Sequence, residues 1–410
     1  FSDAELLEGY LYSVSGLYGG ASLFRAPASE LTVLLAEVKD QLEAKIKEVA
    51  AGTLASTEFN FHITWSLTPA EWGISETDAV FQDGKLTDAA KEAVDKRLGA
   101  GALLQRLLSE MPYELYWFDK TKGMSTRYDY MSGLEDGKLV VANPVISMTV
   151  SKDYSKSEVT GTYEVDTAKT KAVADTPAKA NAVVTANASK SDYNKLEAYR
   201  KYITDAVTYN EDAAKKETNV PYGDPWQLIY VFDGKNDTNV VCEGYAKAFQ
   251  YLCDLTVNAN GFKDKSISSA LVTGTMAGGT GEGLHMWNVV SIGGANYLVD
   301  VTNCDEGSVG APDKLFLCGV REDTQGKQYT ATVGNTDIVY VYDKETLGNY
   351  DTEELALSTS AYTLPKPAPT ITFKSTNMYS DFDFTYSGSP RTLGQDVGSR
   401  FDLSYHYEGG

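Results

Sequence analysis

The stretch HMWNVVSIGGANYLVDVTNC, residues 285–304, decides how this chain folds. Two runs rich in β-branched and aromatic residues flank Gly293-Gly294, the signature of a hairpin with a two-residue loop. A loop at those glycines sets His285 opposite Thr302 and puts Asp300, two residues earlier, on the same face. His285 and Asp300 are then diagonal neighbours, roughly 7 to 8 Å apart at the backbone and within reach of an imidazole–carboxylate hydrogen bond. A slip of a single residue would turn them to opposite faces, so the register is a demanding condition.

Upstream lies VVCEGYAKAFQYLCDL, residues 240–255, in which Tyr245, Ala246, Phe249, Leu252 and Cys253 recur at helical spacing behind Cys242. A cysteine at a helix start meets unpaired amide N–H groups and the positive end of the helix dipole, both of which favour thiolate over thiol. Cys253 falls on the apolar stripe and reads as a small buried hydrophobe. The chain has three histidines: His62 in FNFHITW and His406 in YHYEGG read as packed or exposed structural residues, which leaves His285 as the base. Cys242, His285 and Asp300 thus compose a candidate triad of nucleophile, base and orienting acid. The Cys242 amide is one source of an oxyanion donor; Trp226 and Gln227 in DPWQLIYVFDG are candidates for a second, with Trp287 a further cleft candidate.

VVCEGYAKAF, HMWNVV and YLVDVTNCD resemble the three motifs of bacterial transglutaminase-like domains, over roughly residues 191–350. The resemblance implies an α+β fold with a papain-like core, a Cys-bearing helix packed on an antiparallel sheet that carries the histidine and the aspartate. Cys242 matches the family nucleophile, His285 its base and Asp300 its orienting acid, in the family's chain order. Met286, in place of the alanine often found there, and Asn303-Cys304, in place of a common tryptophan, depart from the pattern. The chemistry implied is cysteine-dependent acyl transfer or hydrolysis on protein or peptide amides through a thioester. A catalytically silent adhesion protein that uses the same fold as a scaffold is the alternative.

Thirty-six basic against fifty-seven acidic residues leave a net charge of −21, which argues against nucleic acid as a partner. A protein or peptide substrate is expected instead, cell-wall-associated targets included. No apolar run reaches the roughly 20 residues that span a bilayer. Neither an EF-hand pattern nor paired Cys/His ligand spacing is present, so no metal and no cofactor are expected. Four cysteines are too few for a disulfide framework. The first residue, Phe1, reads as the start of a mature chain freed of a signal peptide, which points to an extracellular or cell-surface location.

Four segments are expected along the chain. Residues 1–125 are read as mainly helical: TVLLAEVKDQLEAKIKEVAAG, residues 32–52, has Leu35, Val38, Leu42, Ile46 and Val49 at helical spacing after Leu31, with Ser29 as cap and Gly52 as terminator. A second helix is expected from Thr87 to Met111, before Pro112, followed by the core-packing aromatics of YELYWF, residues 113–118. Residues 126–190 are read as β hairpins and an Ala/Lys/Thr-rich stretch, either helical on both sides of Pro177 or a linker. Residues 191–350 are the catalytic unit, opened by a helix capped at Ser191 and carrying Leu196, Tyr199, Ile203 and Ala206. Residues 351–410 are a β extension in which Phe382, Phe384 and Tyr386 alternate.

Overall fold

Gly293 and Gly294 take φ of 64° and 82°, the left-handed pair that closes a two-residue hairpin whose twist matches its strands. Ile292 pairs with Ala295 and the ladder runs back to Asn288 opposite Val299, which is the register expected from the sequence. One detail differs. The second strand, Ala295–Val299, ends before Asp300, because the Asp300 amide donates to the Leu315 carbonyl at 2.8 Å and Thr302–Cys304 coils into a 3-10 turn. His285 therefore has no Thr302 across the ladder, and its backbone partner is Gly274 on the other side.

The computed structural model describes residues 33–120, 122–157, 162–214, 227–235, 238–279 and 281–364, together with the strands at 370–373 and 382–385. The expected cap at Ser29, Leu31, Trp226, His406 and Tyr386 lie outside the described residues. The chain divides into two compact units, residues 1–362 and 363–410. In the second, Thr370–Phe373 pairs antiparallel with Phe382–Thr385.

The first unit mixes helices with antiparallel sheets and is an α+β fold. Its largest sheet has seven strands in the order Phe316–Cys318, Ala295–Val299, Gly283–Ile292, Ser268–Ala277, Thr336–Tyr342, Gln328–Val333 and Arg321–Thr324, every neighbouring pair antiparallel. The helix Cys242–Asn258 packs on the central strands Gly283–Ile292 and Ser268–Ala277. It is buried on almost every side rather than along one stripe. Its buried polar residues have partners, Lys247 with Glu243 at 2.9 Å and Gln250 with the half-buried Asp254 at 2.8 Å, as the cost of desolvation requires.

Toward the N-terminus, Lys39–Ala50 buries Leu42, Ile46 and Val49 as its spacing predicts. The single helix expected over 87–111 is two, Asp88–Leu98 and Ala100–Glu110, broken where Gly99 turns left-handed at φ 72°. The region is less purely helical than expected. FNFHITW supplies the strands Glu58–Asn60 and Thr64–Leu67, which pair with Leu139–Met148, because Phe59, Phe61 and Trp65 alternate inward. Tyr113, Tyr116, Trp117 and Phe118 are buried in the core. The stretch around Pro177 is helical, as Thr167–Lys171 and Thr176–Ala186. Ser191 caps Asp192–Ala206, accepting from the Asn194 amide. Among the described residues no helix is long and apolar enough to cross a membrane.

Gly274, opposite His285, lies where an added Cβ would fall 1.9 Å from the Val341 carbonyl oxygen. That neighbour is backbone and cannot swing aside. Gly274→Ala is expected to cost about 1 to 3 kcal/mol by overpacking, read as a lower midpoint in chemical denaturation; an unchanged midpoint would contradict the packing of these two strands.

Candidate active site

Cys242 opens its helix directly after the two-residue strand Asn239–Val240, with extended Val241 as the cap residue. Val241 offers no capping side chain, so the first amides of the helix are not satisfied by one. Gly244 fixes the entry angle: a Cβ there would sit 2.5 Å from Val240 Cβ, so only glycine lets the turn close onto that strand. The thiol is half-buried and close enough to His285 to help raise the imidazole pKa.

His285 is 8% exposed, and its Nε2 lies 2.9 Å from Asp300 Oδ2. With Nε2 engaged, Nδ1 is the nitrogen left for Cys242. Burial by itself would depress the imidazole, but the Asp300 carboxylate and the Cys242 sulfur outweigh it and raise His285 to about 10. The imidazolium is therefore the form held at neutral pH.

Asp300 is fully buried. Desolvation alone would lift its pKa, yet the His285 charge and three side-chain hydrogen bonds hold it below the usual carboxylate value. Those bonds come from His285, from Asn303 Nδ2 at 2.7 Å and from the Tyr340 hydroxyl at 2.7 Å, all on Oδ2. The Asn303 amide donates to Oδ1 at 3.2 Å. Asn303, which stands out in the sequence as a departure from the family pattern, is thus one of the groups that hold the acid. Tyr340 carried no sequence signal beyond the alternation of an ordinary strand.

Trp287, expected in the cleft, is 1% exposed and lies behind the imidazole, its ring 5.9 Å from that of His285 and tilted 17°. It is wedged against Tyr340 at 5.1 Å and Tyr342 at 5.6 Å. This makes Trp287 a backing for the histidine instead of a wall of an open cleft. Gln227 is buried just before the 3-10 turn Leu228–Val231, which packs against the Cys242 helix. Tyr209 was not singled out by sequence, yet its strand pairs with Asn239–Val240 and its ring stacks on Tyr245 at 6.5 Å. Burial, then the charges at Cys242, Glu211 and Asp300, push its phenol up.

The remaining thiols are free but inert by environment. Burial raises Cys253 and Cys304, and lifts Cys318 to about 12. His62 is exposed and lines a separate concavity of about 330 Å³ with Asn60, Arg127 and Asn143. Among the described residues no group of three or more His, Cys, Asp or Glu side chains is arranged to hold a metal ion.

No protein-family model matches the chain, and no curated protein matches it. Among solved structures, one described as "Crystal structure of a TGase" is similar over 45% of this chain and 46% of that one, at 16% identity and a TM-score of 0.26. The likeness thus spans less than half of either chain and is too shallow to assign a family.

Two outcomes are expected. Tyr340→Phe removes one donor from a fully buried carboxylate and should cost about 1 to 3 kcal/mol in denaturant unfolding; a neutral result would contradict the Tyr340–Asp300 bond. The second concerns pH. Because His285 is raised from 6.5 to about 10, its contribution to stability is full below pH 6.5 and lost as pH rises through about 10. The gap in Tm between wild type and His285→Gln should therefore narrow from pH 6 to pH 10; a gap that widens would contradict the ion pairing.

Proposed function

We propose that the protein is a transglutaminase-like cysteine enzyme with a papain-like core, acting on protein or peptide amides by hydrolysis or by transfer to an amine. One observation carries this reading: the imidazole of His285 is hydrogen-bonded to the buried Asp300 and lies within electrostatic reach of the Cys242 sulfur, both of which raise its pKa. In isolation each residue has an ordinary structural role. Joined, they supply a nucleophile, a proton carrier and a group that orients and stabilises the carrier.

The proposed cycle uses only these groups. Cys242 reacts as the thiolate beside the His285 imidazolium, and its sulfur bonds to the acyl carbon as the carbonyl π pair moves to oxygen. The Cys242 amide at the helix start donates to that oxyanion, and Gln227 is the candidate for a second donor. When the oxyanion collapses, the carbon–nitrogen bond breaks and the His285 imidazolium gives a proton to the leaving amine. A thioester on Cys242 remains. Water or a primary amine then attacks it with His285 as base, releasing acid or a new amide.

Hydrolysis and transfer share the acyl-enzyme and differ in what resolves it. Incubation with a glutamine-containing protein and a labelled primary amine separates them. Label on the protein that disappears in Cys242→Ala is the result for transfer, and cleaved peptide without label is the result for hydrolysis. Neither signal, with wild type and Cys242→Ala indistinguishable, would favour the silent scaffold and overturn the proposal.

A further inference from the structure

Three irregularities meet at one level of the four-stranded sheet. Its strand Leu139–Met148 pairs with Met124–Tyr130 along one side, and with Glu58–Asn60 and Thr64–Leu67 in turn along the other. Arg127 lies opposite Val145 and Asp129 opposite Ala142, so Asn143 and Pro144 together face the single residue Tyr128, which makes a β-bulge. Asn143 takes the left-handed conformation of that bulge at φ 50°, which asparagine tolerates better than most residues with a side chain. Pro144 has no amide to give to a ladder, and a bulge is where a sheet can hold it. Across the other ladder, Phe61, His62 and Ile63 loop past the same two residues. The Phe61 amide donates to the Pro144 carbonyl at 3.0 Å and the Asn143 amide to the Ile63 carbonyl at 2.8 Å.

The concavity of about 330 Å³ that His62 lines is centred on this bulge. Asn60, Val145 and Arg127 form one row across three strands, so their side chains stand on the same face, with apolar Val145 between a carboxamide and a guanidinium. Tyr128 turns to the core, its hydroxyl 3.1 Å from Asp95 Oδ1, which leaves Arg127 and Asp129 on the cavity face. Asn143, brought to that face by the bulge, donates from Nδ2 to Asp129 Oδ2 at 3.0 Å. Arg127 reaches Glu58 only at 3.6 Å and is 41% exposed, so its guanidinium is loosely held. Asn60 and His62 are exposed, and neither side chain is hydrogen-bonded to another described residue.

We infer that this concavity binds a neutral sugar ring, at a site that shares no residue with the one around Cys242. Guanidinium, carboxamide and carboxylate are planar groups with paired donors or acceptors, spaced to engage two neighbouring hydroxyls at once. Arg127 donates, Asp129 accepts and Asn60 does both, a mixture that a polyol uses in full and a simple anion does not. Val145 supplies the apolar patch on which the C–H face of a ring can lie. Asp129 at the rim and Glu58 beside Arg127 repel a carboxylate or a phosphate. A volume of about 330 Å³ is at the low end for small-molecule pockets, room for a ring and not for a folded partner. The bulge thus has a use beyond bending the sheet: it gathers side chains from three strands around one shallow apolar floor.

The test is saturation-transfer NMR on the full chain with a mixture of the methyl glycosides of glucose, galactose, mannose and N-acetylglucosamine. Ring protons of at least one glycoside should receive saturation. Arg127→Ala should weaken that binding about tenfold and Asn60→Ala several-fold, each with an unchanged midpoint in denaturant because both side chains reach the surface. His62→Ala, also at an exposed position, serves in place of Arg127→Ala where that variant lowers the midpoint. Cys242→Ala should bind as wild type does, and excess inorganic phosphate should not displace the sugar. No transfer to any of these glycosides, transfer undiminished in Arg127→Ala, or displacement by phosphate overturns the inference. Binding lost in Cys242→Ala would overturn it too, by placing the sugar at the candidate active site. None of these failures touches the amide chemistry, which is read from Cys242 alone.

Discussion

The candidate site depends on a carboxylate that has no contact with water. Asp300 is fully buried, and it stays ionised only because His285, Tyr340 and Asn303 all point donors at it. A carboxylate so placed would otherwise be neutral, and a neutral acid would neither orient the imidazole nor hold its charge. The donors come from three separate parts of the sheet unit: His285 from the hairpin, Asn303 from the 3-10 turn after it, and Tyr340 from the strand Thr336–Tyr342 two ladders away. Assembling the seven-stranded sheet and charging the site are therefore one event.

The same logic extends outward from the imidazole. Trp287 backs the ring of His285 and is itself held by Tyr340 and Tyr342, so the imidazole has little room to rotate. On the other side, Gly244 lets the Cys242 helix begin hard against Val240, and the small contact fixes where the sulfur sits. Reactive geometry of this kind rests on rigid elements and not on loops. Three of the four thiols are sealed in the core, so thiol chemistry is confined by environment to the one that faces the histidine.

Much of this was legible in the sequence, and for identifiable reasons. A pair of glycines between two β-rich runs sets a hairpin register by arithmetic, and the observed pairs from Ile292 and Ala295 back to Asn288 and Val299 follow it. Apolar spacing likewise placed the helix behind Cys242. Sequence pattern could not show where the ladder stops, because Asp300 leaves the strand for a carbonyl at Leu315, a contact made by a later part of the chain. Long-range polar partners escaped for the same reason: Tyr340 and Lys120 bond to groups 40 and 123 positions away, and neither sits in a local motif. Gly99 ended a helix that periodicity alone carried through it. The buried position of Trp287 was not legible, because an aromatic beside a histidine reads equally well as cleft wall or as backing.

The central claim, that Cys242, His285 and Asp300 work together as an acyl-accepting site, is tested most directly by burst kinetics with an activated acyl ester such as a p-nitrophenyl ester. The account predicts a rapid release of about one equivalent of nitrophenol with the acyl group found on Cys242. That burst should vanish in Cys242→Ala and slow by on the order of 100-fold or more in His285→Ala. A protein that shows no burst, or a burst that persists when Cys242 is replaced, would contradict it.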